Sequence, residues 1–269
     1  MAARTAIRFQ QIVKYLHAVS DLRIHDLNIY SGECVAFYGL SEETRDVLIK
    51  LITGAYPPDE GSLHLFDADS RNMSDSTWFD MVGNFGIYDD STPLQENASV
   101  AENIAAPFRI RSPNVSEHAL SASVLNLANS AQLTITDLSR LMSEASPVIR
   151  MKVRLARLLV PVPRLVLLCN PTERLSFRLS QEFSDLVKRT RKKLHYTLVI
   201  FTDDIRFICR LAERVLFLNP QTGIVVENQL RGWYHTLLPF LNISPAKHLQ
   251  LSKDIMLYGG IGNSERVKR

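Results

Sequence analysis

Residues Cys34–Asp67 read CVAFYGLSEETRDVLIKLITGAYPPDEGSLHLFD. The first five, Cys34–Tyr38, are a continuous apolar run, the pattern of a strand buried on both faces. Gly39–Thr44 follows as a loop. From Arg45 to Thr53 the apolar residues Val47, Leu48, Leu51 and Ile52 fall at the spacing of one helical face, and Gly54 suits the helix stop. Pro57–Pro58–Asp59–Glu60–Gly61 is a turn, and Ser62–Phe66 is a further strand.

The same alternation extends on either side. Upstream, Leu22–Ile29 reads as a strand that ends at Ser31–Gly32–Glu33. Downstream, from about Ser99 to Leu159, the chain reads as helices, including Glu117–Ala131 and a second through Ile149–Leu159. Ser112–Pro113–Asn114 and Ser146–Pro147 punctuate them. Strand character returns at Leu165–Cys169, Thr197–Thr202 and Arg214–Leu218, with a helix, Leu179–Lys193, between the first two. Parallel strands joined by helices and interrupted by a helical insertion imply an α/β fold: a mixed-sheet core with an inserted α-helical subdomain. The expected division is 1–88 with 160–230 as the core, 89–159 as the helical subdomain, and 231–269 as a short helix and polar, basic tail.

Composition narrows the function classes. Of 269 residues, 46% are hydrophobic and 22% charged, which fits an ordered globular protein rather than a disordered one. Basic residues number 31 and acidic residues 28, a net charge of +3, too slight for a nucleic-acid footprint. The one basic run, Lys188–Arg189 with Arg191–Lys192–Lys193, reads as a solvated helix end. Cys34, Cys169 and Cys209 cannot all pair and match no metal-ligand spacing, so a reducing compartment and no metal site are expected. The N-terminus lacks the apolar stretch of a signal peptide, and the longest apolar passage, Leu158–Cys169, is broken by Pro161, Pro163 and Arg164. No membrane span is expected, since one needs roughly 20 mostly apolar residues.

The phrase ITGAYPPDEGSLHLFD (Ile52–Asp67), after the strand–loop–helix, resembles the opening of an ATP-binding cassette (ABC) transporter ATPase. GIYDDSTPLQENASVAENI (Gly86–Ile104) resembles the segment running from that family's Q-loop into its helical subdomain, with S-V-A-E-N-I nearest the simple-sugar importers. Leu155–Arg157 (L-A-R), RLVLLCNP ending at Pro171, and TLVIFTDD (Thr197–Asp204) then follow in family order over roughly residues 7–230. The resemblance implies a P-loop NTPase-like core with an antiparallel N-terminal sheet. It also implies head-to-tail dimers, each site pairing one subunit's phosphate loop with the other's signature. Its implied partners are an ABC permease, an intact ATPase subunit or both, and its implied location is cytoplasmic or peripheral on the inner face of the plasma membrane.

The catalytic positions depart from that pattern. A phosphate loop needs G-x-x-G-x-G-K-[ST], in which glycines let backbone N–H groups curl round phosphate, the lysine reaches the β/γ-phosphates and the hydroxyl binds Mg²⁺. Here the residues are Gly39-Leu40-Ser41-Glu42-Glu43-Thr44-Arg45-Asp46. Glu42 and Thr44 replace two glycines, Arg45 stands at the lysine and Asp46 at the hydroxyl. At an effective dielectric near 20 a unit charge pair at ~4 Å is worth about 4 kcal/mol. Binding at 1 mM is worth only ~4 kcal/mol in total, so Glu42, Glu43 and Asp46 beside a triphosphate disfavour ordinary binding. Glu42 and Glu43 equally suit the start of a helix.

Elsewhere, the Q-loop glutamine aligns with Asp90, and the signature reads Ala145-Ser146-Pro147-Val148-Ile149. Cys169 stands at the Walker B aspartate and is most simply a small buried hydrophobe. Asn170 stands at the catalytic glutamate, and an amide cannot take water's proton. Asp203 aligns with the switch histidine, and Asp203–Asp204 reads as a solvated turn. The adenine-stacking aromatic falls at Leu16, with Tyr15 one residue away. No catalytic residue and no cofactor are expected. Three functions stay open: a silent cassette with a regulatory or assembly role beside a sugar transporter; an ATP-binding importer subunit using Tyr15, Gly39, Ser41, Thr44, Arg45, Asp46 and Ser146 with Mg·ATP; and an unrelated α/β ligand- or protein-binding domain.

Overall fold

A computed structural model describes residues 4–16, 21–89, 93–160, 162–218 and 225–229. The chain begins with strands β1 (Thr5–Lys14), β2 (Leu22–Tyr30) and β3 (Cys34–Tyr38), helix α1 (Glu42–Thr53), strands β4 (Glu60–Leu65) and β5 (Ala68–Asp69), and helix α2 (Asp75–Val82). There follow β6 (Phe85–Asp89), α3 (Val100–Arg111), α4 (Glu117–Ser130), α5 (Ile135–Ser139), α6 (Pro147–Leu158), β7 (Leu165–Cys169) and α7 (Phe177–Leu194). β8 (Thr197–Phe201), α8 (Ile205–Leu211), β9 (Arg214–Leu218) and β10 (Val225–Gln229) complete it. Two compact units result, Met1–Val82 with Thr197–Arg269, and Gly83–Tyr196.

In the first unit β2, β1, β4 and β5 form an antiparallel sheet. β3 lies between β8 and β9, parallel to both, and β10 adds antiparallel to β9, so these strands are mixed. All residues of β3 and β8 are buried, as their unbroken apolar runs require, and Phe37 and Phe201 stack at 5.2 Å across the pair. Glu33 and Arg214 brace the start of β3 against β9 through two bonds of 2.9 and 3.0 Å, with both side chains largely buried. β1 eluded the period-two pattern for a local reason. Its register shifts between Gln10 and Val13, and Gln11 has a φ of 49°, so the apolar alternation slips at that bulge.

The second unit carries the parallel pair β6–β7 and the helices α3 to α7. α6 and α7 turn one apolar face inward, through Met151, Val153, Leu155 and Ala156 and through Phe183, Leu186 and Val187. A Cβ on Gly86 in β6 would stand 2.4 Å from the Leu158 carbonyl oxygen, so only glycine permits this approach of strand to helix end. The fully buried Tyr196 pairs its hydroxyl with Thr190 Oγ1 at 2.8 Å, which satisfies both groups away from water.

Candidate functional site

The phosphate-loop region is shorter than its sequence suggests. β3 ends at Tyr38 and α1 begins at Glu42, not Arg45, which leaves only Gly39, Leu40 and Ser41 between them. Ser41 is the N-cap: its hydroxyl accepts the Thr44 N–H at 3.1 Å and lies 2.8 Å from Thr44 Oγ1. The Arg45 N–H donates to the Ser41 carbonyl at 2.9 Å, and Glu42 and Glu43 fill the first turn, where the helix's positive end stabilises acids. A residue that lacks glycine's backbone freedom favours this helix over a curled loop. Ser41-Glu42-Glu43-Thr44 is thus a helix-start phrase, and the signal for it was an N-cap serine ahead of two acids.

Arg45 lies along the same helix, 3.7 Å from Glu42 Oε1 and 3.8 Å from Asp46 Oδ1, with only 18% of its side chain exposed. The Glu42 carboxylate is 86% exposed, so water screens its repulsion of an incoming anion and the charge argument alone weakens. The commitment of the loop's own groups counts for more.

Asp203 is exposed in a bend, as a solvated turn expects, and it also has a partner within the protein. Its Oδ1 accepts the N–H of Gly39 at 2.9 Å, and Gly39 itself has a φ of +71°. Burial first, and the Asp203 charge second, push the Tyr38 hydroxyl up to about 12. Asp204 caps α8 by accepting the Phe207 N–H, while its own N–H donates to Thr202 Oγ1. Among the described residues no group of three or more His, Cys, Asp or Glu side chains is placed to hold a metal ion.

In the second unit the signature position is also a helix start. Ser146 caps α6 by accepting the Ile149 N–H, and Pro147 takes the first helical position, where a missing N–H costs nothing. Cys169 ends β7 and is half-buried, more exposed than the buried hydrophobe expected. Asn170 has a φ of 42°, a conformation asparagine tolerates better than most residues, and its amide reaches Glu173 at 3.4 Å. Asp90 lies outside the described residues, as do residues 231–269 with the expected C-terminal helix. The Tyr15 ring is half-exposed, its hydroxyl held by Glu60 and its N–H by Asp59, and Leu16 follows it with an N–H near Asp21.

The landmarks that persist have structural work. Gly54 ends α1 with a φ of 72°, and a Cβ there would sit inside the Trp78 ring, whose Nε1 donates to the Thr53 carbonyl. Gly61, with a φ of +82°, passes so close to the β1 bulge that a Cβ would lie 2.2 Å from the Gln11 carbonyl oxygen. In Ser99–Ile104, Ser99 and Glu102 close a capping box and Val100 and Ile104 are buried. Asn103 accepts from the Gln95 N–H at 2.9 Å and donates to the carbonyls of Gln95 and Ser99 at 3.0 Å. S-V-A-E-N-I is therefore a folding phrase.

Solved cassettes share this architecture. A dimeric ATP-binding cassette in a post-hydrolysis state with ADP and Pi superposes with a TM-score of 0.67 at 21% identity, covering 84% of this chain and 99% of that one. The cbiO1 protein of Clostridium perfringens, part of the cbiONQ transporter complex, gives 0.74 at 18% identity, covering 93% and 99%. The sulfate/thiosulfate import ATP-binding protein CysA of Thermosynechococcus vestitus is 27% identical over 235 residues, 87% of this chain and 68% of that protein. CysA of Xylella fastidiosa Temecula1 is 30% identical over 220 residues, 81% of this chain and 61% of that one. The methionine import ATP-binding protein MetN of Bartonella henselae is 24% identical over 229 residues, 84% and 65%. Sulfate, thiosulfate and methionine, not sugars, are the cargoes in these names. The ABC transporter family model matches residues 22–173, more than half of the chain, which with the shared architecture places the chain in the ABC transporter family.

Proposed function

We propose that the chain is a cassette subunit associated with an ABC importer that neither grips nor cleaves a nucleotide, and that it acts by binding protein. The observation that carries this reading is the closed phosphate loop. The Gly39 N–H is taken by Asp203, the Thr44 N–H by Ser41, and Arg45 lies between Glu42 and Asp46. The residues present do not fit a magnesium nucleotide. Asp46 offers no hydroxyl for the ion, Cys169 no Walker B carboxylate and Asn170 no proton acceptor, so no hydrolytic step is assigned to them.

The contrast between kept and lost residues supports the same reading. Gly54, Gly61, Ser99 and Asn103 hold the fold and persist, while the residues that serve only phosphate chemistry are replaced. Silence at both Gly39–Asp46 and Ala145–Ile149 would damage both sites of a head-to-tail pair with an intact ATPase. A regulatory or assembly role on the permease or its ATPase therefore fits better than one half of a working motor. The relatives' names suggest an inorganic anion or amino-acid importer as the setting. The second reading, a working ATP-binding subunit, draws on Arg45, which keeps a cation at the lysine position.

Phosphate release by the purified chain with Mg·ATP separates the two. The silent reading expects no release above a protein-free blank, and a changed rate when the chain is added to an intact permease–ATPase complex. Turnover that Asn170→Ala abolishes contradicts it.

A further inference from the structure

We infer that Asp203 is a built-in anion that occupies the phosphate loop in place of a nucleotide, an autoinhibitory contact that keeps the loop closed. The inference rests on the silent-cassette reading and names what holds the loop shut. Its basis is how firmly both partners are placed. β3 and β8 run in parallel register with Phe37 opposite Phe201, the Thr202 N–H donates to the Phe37 carbonyl at 3.2 Å, and the two ring faces stack. The strands leave the sheet in step, so Gly39 and Asp203 emerge side by side.

Asp203 is then steadied from behind. Asp204 N–H bonds Thr202 Oγ1, and the Asp204 carboxylate caps α8, so the segment that carries Asp203 is tied at both ends. On the other side Gly39, with a φ of +71° and nothing within 4 Å of its absent Cβ, turns its N–H to the carboxylate at 2.9 Å. A charged acceptor on a backbone N–H is the bond a phosphate oxygen makes at such a loop. Here the chain supplies the oxygen itself.

The test is made on the full chain, as wild type, Asp203→Asn and Asp203→Ala, by backbone amide NMR and thermal melts. In wild type the Gly39 amide proton is expected to be protected from exchange. Asp203→Asn keeps an acceptor oxygen, so protection remains. Asp203→Ala loses protection by about tenfold or more and melts lower. Inorganic phosphate at tens of millimolar, against chloride at equal ionic strength, then raises its melting temperature by a few degrees while leaving wild type and Asp203→Asn unmoved. A Gly39 amide indifferent to Asp203→Ala, or phosphate acting equally on all three proteins or on none, overturns the inference. Saturable Mg·ATP binding by wild type overturns the silent-cassette reading instead, so the two failures are distinguishable.

Discussion

At the scale of single residues, the glycines and the buried asparagine separate architecture from chemistry. Gly61→Ala would force a Cβ against the Gln11 carbonyl at a φ of +82°, and we expect a loss of about 3 kcal/mol or more in urea unfolding. Asn103→Ala leaves Gln95 and Ser99 without three bonds inside the protein, and about 2–3 kcal/mol is expected by the same assay. Such residues were legible as a family phrase because their spacing is fixed by turns and caps. Their work was not legible, since a Cβ clash or a buried amide's partner depends on segments far away in sequence. Asp203 shows the limit most clearly: its neighbour Asp204 marks a turn, but nothing local announces that the carboxylate meets Gly39.

At the scale of elements, the boundary of α1 decides the site. The apolar face of Arg45–Thr53 was plain in the sequence, yet it does not show where the first turn begins, because Glu42–Thr44 contribute only Thr44 to the core. Much of the helix and sheet order could be read from apolar runs; β1, β5, α2, β6, α8 and β10 were not, and among them α2 buries no residue and the β1 bulge breaks its alternation. Ser41→Ala removes the cap and is expected to cost about 1 kcal/mol. A loop rebuilt to the family pattern, with Glu42→Gly, Thr44→Gly, Arg45→Lys and Asp46→Ser and with the closing carboxylate removed by Asp203→Ala, should shorten α1 at its start. It should then bind a fluorescent ATP analogue that wild type ignores, while phosphate release stays at background because Asn170 remains. Binding no better than wild type would mean that the loop's composition is not what excludes nucleotide.

At the scale of the whole molecule, paired charges set the response to acid. Lys14 holds the Asp59 carboxyl low, Arg71 the Asp69 carboxyl and Arg150 the Glu96 carboxyl, while a backbone N–H at Ser99 lowers Glu102 and the Thr134 hydroxyl lowers Asp137. A carboxyl lower in the folded chain adds stability that is complete above its ordinary value, 3.8 for Asp and 4.5 for Glu, and is lost as pH falls below it. Urea midpoints should therefore be level from about pH 6 to 5 and fall steadily below about pH 4.5, less steeply in Glu96→Gln. Arg214→Ala, which takes the guanidinium from Glu33 and leaves it the Tyr30 N–H, should cost about 2 kcal/mol near neutral pH. The claim on which the rest depends is that a cassette architecture persists here around a phosphate loop closed to its nucleotide. Calorimetric titration of the purified full chain with Mg·ATP tests it most directly: the account predicts no saturable heat up to several millimolar nucleotide, and a one-to-one isotherm with a Kd at or below about 1 mM, ~4 kcal/mol of binding, would contradict it.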